Sequence, residues 1–160
     1  MPWGCKITSM SDSDKGPAPS LKPVTVSLPS DVNYLDVARN FVSDIGHKVG
    51  LSAAEIHDLQ LAVTEAVTNV IEHAYAGDTE QRIDLAIERD GECFVVAITD
   101  TGQNRFDPAA HPDPDLKEYL SQCRVGGLGL YLMRKLMDQV EFTSDARGVN
   151  QVKLVKHIKP

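Results

Sequence analysis

Leu61-Ala-Val-Thr-Glu65-Ala-Val-Thr-Asn69-Val-Ile-Glu-His73 is the stretch on which the reading of the fold turns. Glu65, Asn69 and His73 recur every fourth residue. At roughly 100° per residue they stay within about 80° of one another, on one face of a helix. Leu59, Val63, Ala66, Val67, Val70 and Ala74 form a neighbouring apolar stripe. One helix therefore packs a core with one side and carries a carboxylate, a carboxamide and an imidazole along the edge of that stripe. Ser52-Ala-Ala-Glu55 opens it as a capping box, because the Ser and Glu side chains each satisfy an orphan amide. Gly77-Asp78 closes it, so the helix is expected over about 53–75.

Outward from this helix the periodicity changes. Towards the N-terminus, Pro29-Ser30-Asp31 offers caps to a helix over about 32–48 with Leu35, Ala38, Phe41, Val42 and Ile45 inward. Val24 to Leu28 alternates and reads as a first strand. Towards the C-terminus, Ile83, Leu85 and Ile87 alternate with polar residues, Asp90-Gly91 signals a hairpin turn, and Phe94 to Ile98 returns to close on Asp100. About 25 residues with three prolines and no strong pattern follow, with a short helix expected near Leu116–Cys123. A loop this long inside a compact domain is usually functional or mobile. A helix over about 128–138 comes next, with Leu128, Tyr131, Leu132 and Leu136 on one side, then strands at Val140–Ser144 and Gln151–Val155. Strands arrive in hairpins rather than alternating singly with helices. That order predicts an α+β two-layer sandwich, a mixed or antiparallel sheet with helices on one face, and excludes a doubly wound parallel sheet.

Composition bounds the function. Residues 1–22 are rich in Ser, Pro, Gly, Lys and Asp without periodicity and read as a disordered tail; residues 23–160 read as one folded domain. The net charge is −7, of which the tail holds +1 and the remainder −8. An acidic body disfavours direct nucleic-acid binding and suits a protein partner. Cys5, Cys93 and Cys123 form no CxxC pair and no metal spacing, which fits a reduced, cytoplasmic setting with Cys93 as a buried strand residue. No stretch reaches the ~18 apolar residues of a membrane helix.

Three segments carry the chemistry. On the long helix, the Asn69 carboxamide oxygen is a hard neutral donor suited to Mg²⁺, and Glu65 one turn earlier can accept a proton from an attacking hydroxyl. His73 reads as a capping or packing residue near the helix end. At the end of an apolar strand, Asp100-Thr-Gly102 offers an acceptor for the exocyclic amine of adenine and a glycine that allows close approach. Before the last helix, Gly126-Gly127-Leu128-Gly129-Leu130 leaves amides open to phosphate, in the direction the helix dipole favours. It is not a P-loop, since Gly-x4-Gly-Lys-Ser/Thr is absent. Each segment alone is common in proteins of every kind; their order is not.

E-x-x-x-N on a helix, D-x-G after a strand, a long loop and G-G-x-G before a helix resemble the N, G1 and G2 boxes of the GHKL ATPases, the histidine-kinase-like superfamily with the Bergerat ATP-binding fold. Within it, Leu61 to Asn69 with His73-Ala-Tyr75, Asp100-Thr-Gly102 with Phe106-Asp107-Pro108, and Gly126 to Leu130 resemble the bacterial anti-sigma factor serine-protein kinases, over about residues 24–157. The resemblance implies that Asn69 is the Mg²⁺ ligand and Glu65 the general base for a substrate serine. It implies that Asp100 holds the adenine amino group with Gly102 beneath the ring. Gln103 to Arg124 would be the nucleotide lid, with either Arg105 or Arg124 reaching the phosphates. Gly126, Gly127, Leu128 and Gly129 would cradle those phosphates. It further implies ATP, ADP and Mg²⁺ as ligands, a sigma factor and a STAS-type anti-sigma-factor antagonist as partners, and a homodimer.

The chain departs from the family's pattern twice. Gln103-Asn104-Arg105 follows Asp-x-Gly where small residues are usual. Val149-Asn150-Gln151-Val152 stands where Gly-Thr-x-Val is common, so Asn150 or Gln151 replaces the Thr that assists adenine binding. The expected activity is transfer of the γ-phosphoryl group of ATP to a serine or threonine of the antagonist, in a partner-switching system. The alternative is a nucleotide-gated binding switch without kinase activity.

Overall fold

The computed structural model describes residues 21–122 and 127–158. Five strands form one sheet in the order β1-β2-β3-β5-β4: β1 Leu21–Pro29, β2 Arg82–Asp90, β3 Cys93–Asp100, β4 Gln139–Ser144 and β5 Asn150–His157. Every neighbouring pair is antiparallel, so the mixed alternative falls away. Four helices accompany the sheet: α1 Leu35–Lys48, α2 Ala53–Asn69, α3 Leu116–Ser121 and α4 Gly129–Leu136. The two-layer α+β reading holds. The first strand starts at Leu21, so the last two residues of the expected 1–22 tail belong to the sheet and the rest lies outside the described residues.

Local rules account for the elements. Ser52 Oγ accepts from the Glu55 amide at 3.3 Å while Glu55 Oε2 accepts from the Ser52 amide at 2.8 Å, so both halves of the capping box are made. From this start α2 buries Ile56, Leu59, Ala62, Val63, Ala66 and Val67. Each large apolar side chain among them contributes about 1.5–3 kcal/mol by leaving water. Phe94, Val96 and Ile98 of β3, with Val152 and Leu154 of β5, face these helices. Cys93 is the buried strand residue expected, but it is disulfide-bonded, contrary to the expectation of reduced thiols; the other cysteines, Cys5 and Cys123, lie outside the described residues.

Two features differ from the sequence reading. The helix expected over 53–75 changes pitch after Asn69: Val70–Ala74 is a π-turn, with the Tyr75 amide reaching back to the Val70 carbonyl at 3.0 Å. Such turns frequently mark functional sites. In α4 the fully packed residues are Leu130 and Met133, followed by Met137, whereas Leu128, Tyr131, Leu132 and Leu136 are only half-buried. The stripe is rotated: Leu130, Met133 and Met137, spaced three and four residues apart, are the side chains that enter the core.

Candidate functional site

A cavity of 820 Å³ opens between α2, the ends of β3, β4 and β5, the loop after β3, and the start of α4. Glu65, Asn69, His73, Asp100, Gly127, Gly129 and Asn150 all line it, so three segments far apart in the chain meet as expected. Gly126 and Arg124 lie outside the described residues.

One end is a single rung across three strands. Asp100 continues the phase of Phe94, Val96 and Ile98, and therefore points to the helix-covered face. In the strand register Asp100 sits opposite Asn150, and Asn150 opposite Ser144. The Asn150 amide group donates to Asp100 Oδ1 at 2.9 Å and to the Gly102 carbonyl at 2.8 Å, and its oxygen accepts from Ser144 Oγ at 2.8 Å. The Gly102 amide also donates to Asp100 Oδ1, at 2.8 Å. Asp100 is 7% exposed and Asn150 9%, and buried polar groups need such partners. Both Asn150 donors are engaged, which leaves Asp100 Oδ2 as the carboxylate oxygen without a hydrogen-bond partner among the described residues. Gln151 lies on the other face, donating to Thr99 Oγ1 at 3.1 Å. Ser144 was not foreseen: nothing in its local sequence marks it, and only the pairing brings it to Asn150.

Gly102 is not among the residues that line the cavity; it is held against protein. A Cβ there would fall 2.5 Å from the Ala74 carbonyl oxygen and 2.6 Å from its Cβ. The π-turn brings this backbone up to the loop, and two further contacts hold it: Tyr75 Oη accepts from the Thr101 amide at 2.9 Å, and the Asn104 side chain donates to the His73 carbonyl at 2.9 Å. His73 itself is exposed, in keeping with a residue at a helix end rather than a catalytic one.

The other end is open. Glu65 and Asn69 are half-buried and neither side chain has a hydrogen-bond partner among the described residues. Burial, and secondarily the nearby Glu72 carboxylate, raise the Glu65 pKa above the usual Glu value. Gly127 has φ of +85°, a left-handed conformation natural to glycine, whereas Gly129 begins α4 with ordinary helical backbone. Among the described residues no group of three or more His, Cys, Asp or Glu side chains gathers to hold a metal. A single carboxamide oxygen is nonetheless a fitting donor for Mg²⁺, which is commonly bound through one or two protein oxygens plus substrate phosphates and water.

The loop between the ends is tethered. Arg134 of α4 bonds Asp113 Oδ1 at 2.9 Å and reaches the Pro108 and His111 carbonyls at 3.3 and 3.4 Å. The Phe106 ring packs between His111 and Phe142, at 5.0 and 4.9 Å between centroids. Arg105 donates to the Asp145 carbonyl at 3.4 Å, in the β4–β5 turn. Arg134 was missed in the sequence because an Arg in a helix's last turn reads as an ordinary dipole partner.

Residues 28–156 match the histidine kinase-like ATPase domain family. The serine-protein kinase RsbW of Listeria monocytogenes is 33% identical over 139 residues, covering 84% of this chain and 87% of that protein. The RsbW of Staphylococcus epidermidis is 34% identical over 141 residues, covering 85% and 87%. Among solved structures, the RsbU and RsbW domains of a Mycobacterium tuberculosis protein superpose with a TM-score of 0.62 at 20% identity, over 88% of this chain and 34% of that one. The SiaB–SiaC complex of Pseudomonas aeruginosa gives a TM-score of 0.61 at 16% identity, over 82% and 88%. At those identities the likeness is one of fold.

Proposed function

The chain belongs to the histidine kinase-like ATPase domain family, among the RsbW serine-protein kinases, and from that premise we propose that it transfers the γ-phosphoryl group of ATP to a serine or threonine of a small antagonist protein. The observation that carries this reading is the meeting of Glu65 and Asn69, one helical turn apart, with the Asp100–Asn150 rung around one cavity. Phosphoryl transfer depends mainly on positioning and charge stabilisation, so few protein groups suffice.

Adenine binds at the rung. Asp100 Oδ2 accepts from the exocyclic amine, while Asn150 and the Gly102 amide hold the other oxygen; guanine, with an acceptor at the same position, is rejected. The backbone amides of Gly127, Leu128 and Gly129 meet the phosphates. Asn69 would hold Mg²⁺, which would offset the charge of the phosphates during transfer. Glu65 takes the proton of the substrate hydroxyl as the oxygen–phosphorus bond forms and the bond to the β-phosphate oxygen breaks, leaving ADP. Its raised pKa makes it a stronger base than an ordinary carboxylate once ionised.

The antagonist is of STAS type, and in its unphosphorylated form it draws the kinase away from a sigma factor. Phosphorylation adds about −1.5 to −2 charges, and a chain of net charge −7 repels them, which favours release of the product. The kinase is then free to hold the sigma factor, acting as an anti-sigma factor in the cytoplasm. The family resemblance supports a homodimer. Among the described residues no helix is long and apolar enough to cross a membrane.

The test is incubation of the protein with γ-labelled Mg-ATP and its antagonist, for wild type, Glu65→Ala and Asn69→Ala. Label on the antagonist with wild type and its loss in both variants is the expected result. ATP binding without any transfer by wild type would overturn the kinase and leave a nucleotide-gated binding switch.

A further inference from the structure

Two glycines of the same turn are glycine for different reasons. Gly127 has φ of +85° and nothing within 4 Å of where a Cβ would stand, so its backbone conformation demands glycine. Gly129 is the reverse. Its backbone is that of an ordinary helix residue, which alanine would suit better. What a Cβ at Gly129 would strike is Glu65: Oε2 at 2.6 Å, with Cδ and Cβ of the same side chain at 3.5 and 3.6 Å. No other residue is among the three nearest atoms.

We propose that Gly129 is a positioning residue for Glu65: the space left by its missing side chain is where the carboxylate sits, so the glycine sets the direction from which the base meets the substrate hydroxyl. This rests on the kinase reading for its catalytic meaning, but the contact itself does not. Only the carboxylate oxygen approaches within 3.0 Å, and it is the far end of a flexible side chain. An alanine at 129 is therefore accommodated by turning the carboxylate away, without moving α2 or α4. The amide N–H offered to phosphate is kept. The contrast with Gly102 is one of consequence, since a Cβ there meets the backbone of Ala74, which cannot swing aside.

The experiment compares wild type, Gly129→Ala, Glu65→Asp and the double variant. Fluorescent-nucleotide titration reads binding, and saturating phosphotransfer to the antagonist reads kcat. Gly129→Ala is expected to melt as wild type does and to bind nucleotide within about threefold, while kcat falls at least about tenfold, part of the 10²–10⁴ that a general base supplies. Aspartate, one methylene shorter, draws the carboxylate back from an alanine at 129. Glu65→Asp should therefore cost less in the Gly129→Ala background than in wild type. Unchanged kcat in Gly129→Ala, or a loss confined to nucleotide affinity, would overturn the assignment and leave Gly129 a phosphate-turn glycine. If wild type transfers no phosphate, the kinase reading fails, and carbon-13 titration of the Glu65 carboxyl still decides the positioning. A midpoint that falls in Gly129→Ala, as the group moves towards water, supports it; an unchanged midpoint refutes it.

Discussion

The Asp100 end of the cavity and the Glu65 end are built on opposite terms. At the first, a rung from β3, β5 and β4, with Asp100 and Asn150 buried and Ser144 at its exposed rim, engages both donors of Asn150 and one oxygen of Asp100. At the second, a carboxylate and a carboxamide one helical turn apart stand without hydrogen-bond partners among the described residues. The difference teaches what each end is for. A recognition site gains from groups already held in place, because binding then orders little. On the proposed kinase reading, a site for transfer leaves its groups open to a phosphate and an incoming hydroxyl, and burial, with Glu72 nearby, raises the Glu65 pKa there.

The largest expected effect lies at the open end. Glu65→Gln should lower phosphotransfer by about 10²–10⁴ while leaving nucleotide affinity near wild type, as saturation kinetics beside equilibrium titration will reveal. The wild-type rate should fall as pH drops through the raised Glu65 pKa, with an acid limb above the ordinary Glu range. Stability runs the other way. The folded state holds this proton more tightly than the unfolded chain, so Glu65 costs nothing below the ordinary Glu value. It destabilises as pH rises from there through the raised value. Glu65→Gln should therefore raise Tm at neutral pH and lose that gain in acid. A Tm gain that persists in acid would mean that the open end is not strained by its charge.

At the closed end Asn150→Leu is the sharpest probe. It leaves Asp100 Oδ1 with the Gly102 amide alone, frees the exposed Ser144 Oγ to water, and strips the buried Gly102 carbonyl of its Asn150 donor, which costs about 1–3 kcal/mol. Chemical denaturation should register that loss, and ATP affinity should fall by at least about tenfold, or about 1.4 kcal/mol. An unchanged affinity would show that Asp100 is oriented without the rung. Ser144→Ala removes only the outermost bond, and a loss of about 0.5–1.5 kcal/mol with little change in affinity is expected from the same measurements. Smallest in stability is Arg134→Ala, at about 1 kcal/mol or less for a half-exposed pair. Its mark should be kinetic: faster amide exchange over 107–114 and faster nucleotide dissociation, since the loop loses its tie to α4. Slow exchange in that variant would assign the loop's order to the Phe106 cluster instead.

Much of this architecture is written locally. The capping box at Ser52, the period-two strands and the Asp90-Gly91 turn all act over a few residues, and each appears where the sequence puts it. The face of α2 that carries Glu65 and Asn69 follows from helical spacing alone. The phase of Asp100 with Phe94, Val96 and Ile98 is likewise legible, because alternation along a strand continues to its end. The reading faltered where one element's orientation depends on another. The side of α4 expected to pack differs from the buried one because its own leucines are ambiguous, and only the closing of the core around Leu130 and Met133 decides the rotation. The π-turn after Asn69 carries no sequence mark.

The sequence by itself therefore determined the elements, the two-layer class and the three segments that carry chemistry, because propensity, capping and periodicity are short-range. Only the tertiary structure decided that β5 lies between β3 and β4, which sets Asn150 opposite Asp100 across fifty residues and Ser144 opposite Asn150. It alone decided which glycine answers to backbone conformation and which to a neighbouring carboxylate. Those outcomes depend on which surfaces meet when the core closes, and residues distant in the chain hold no local record of the partners they will face.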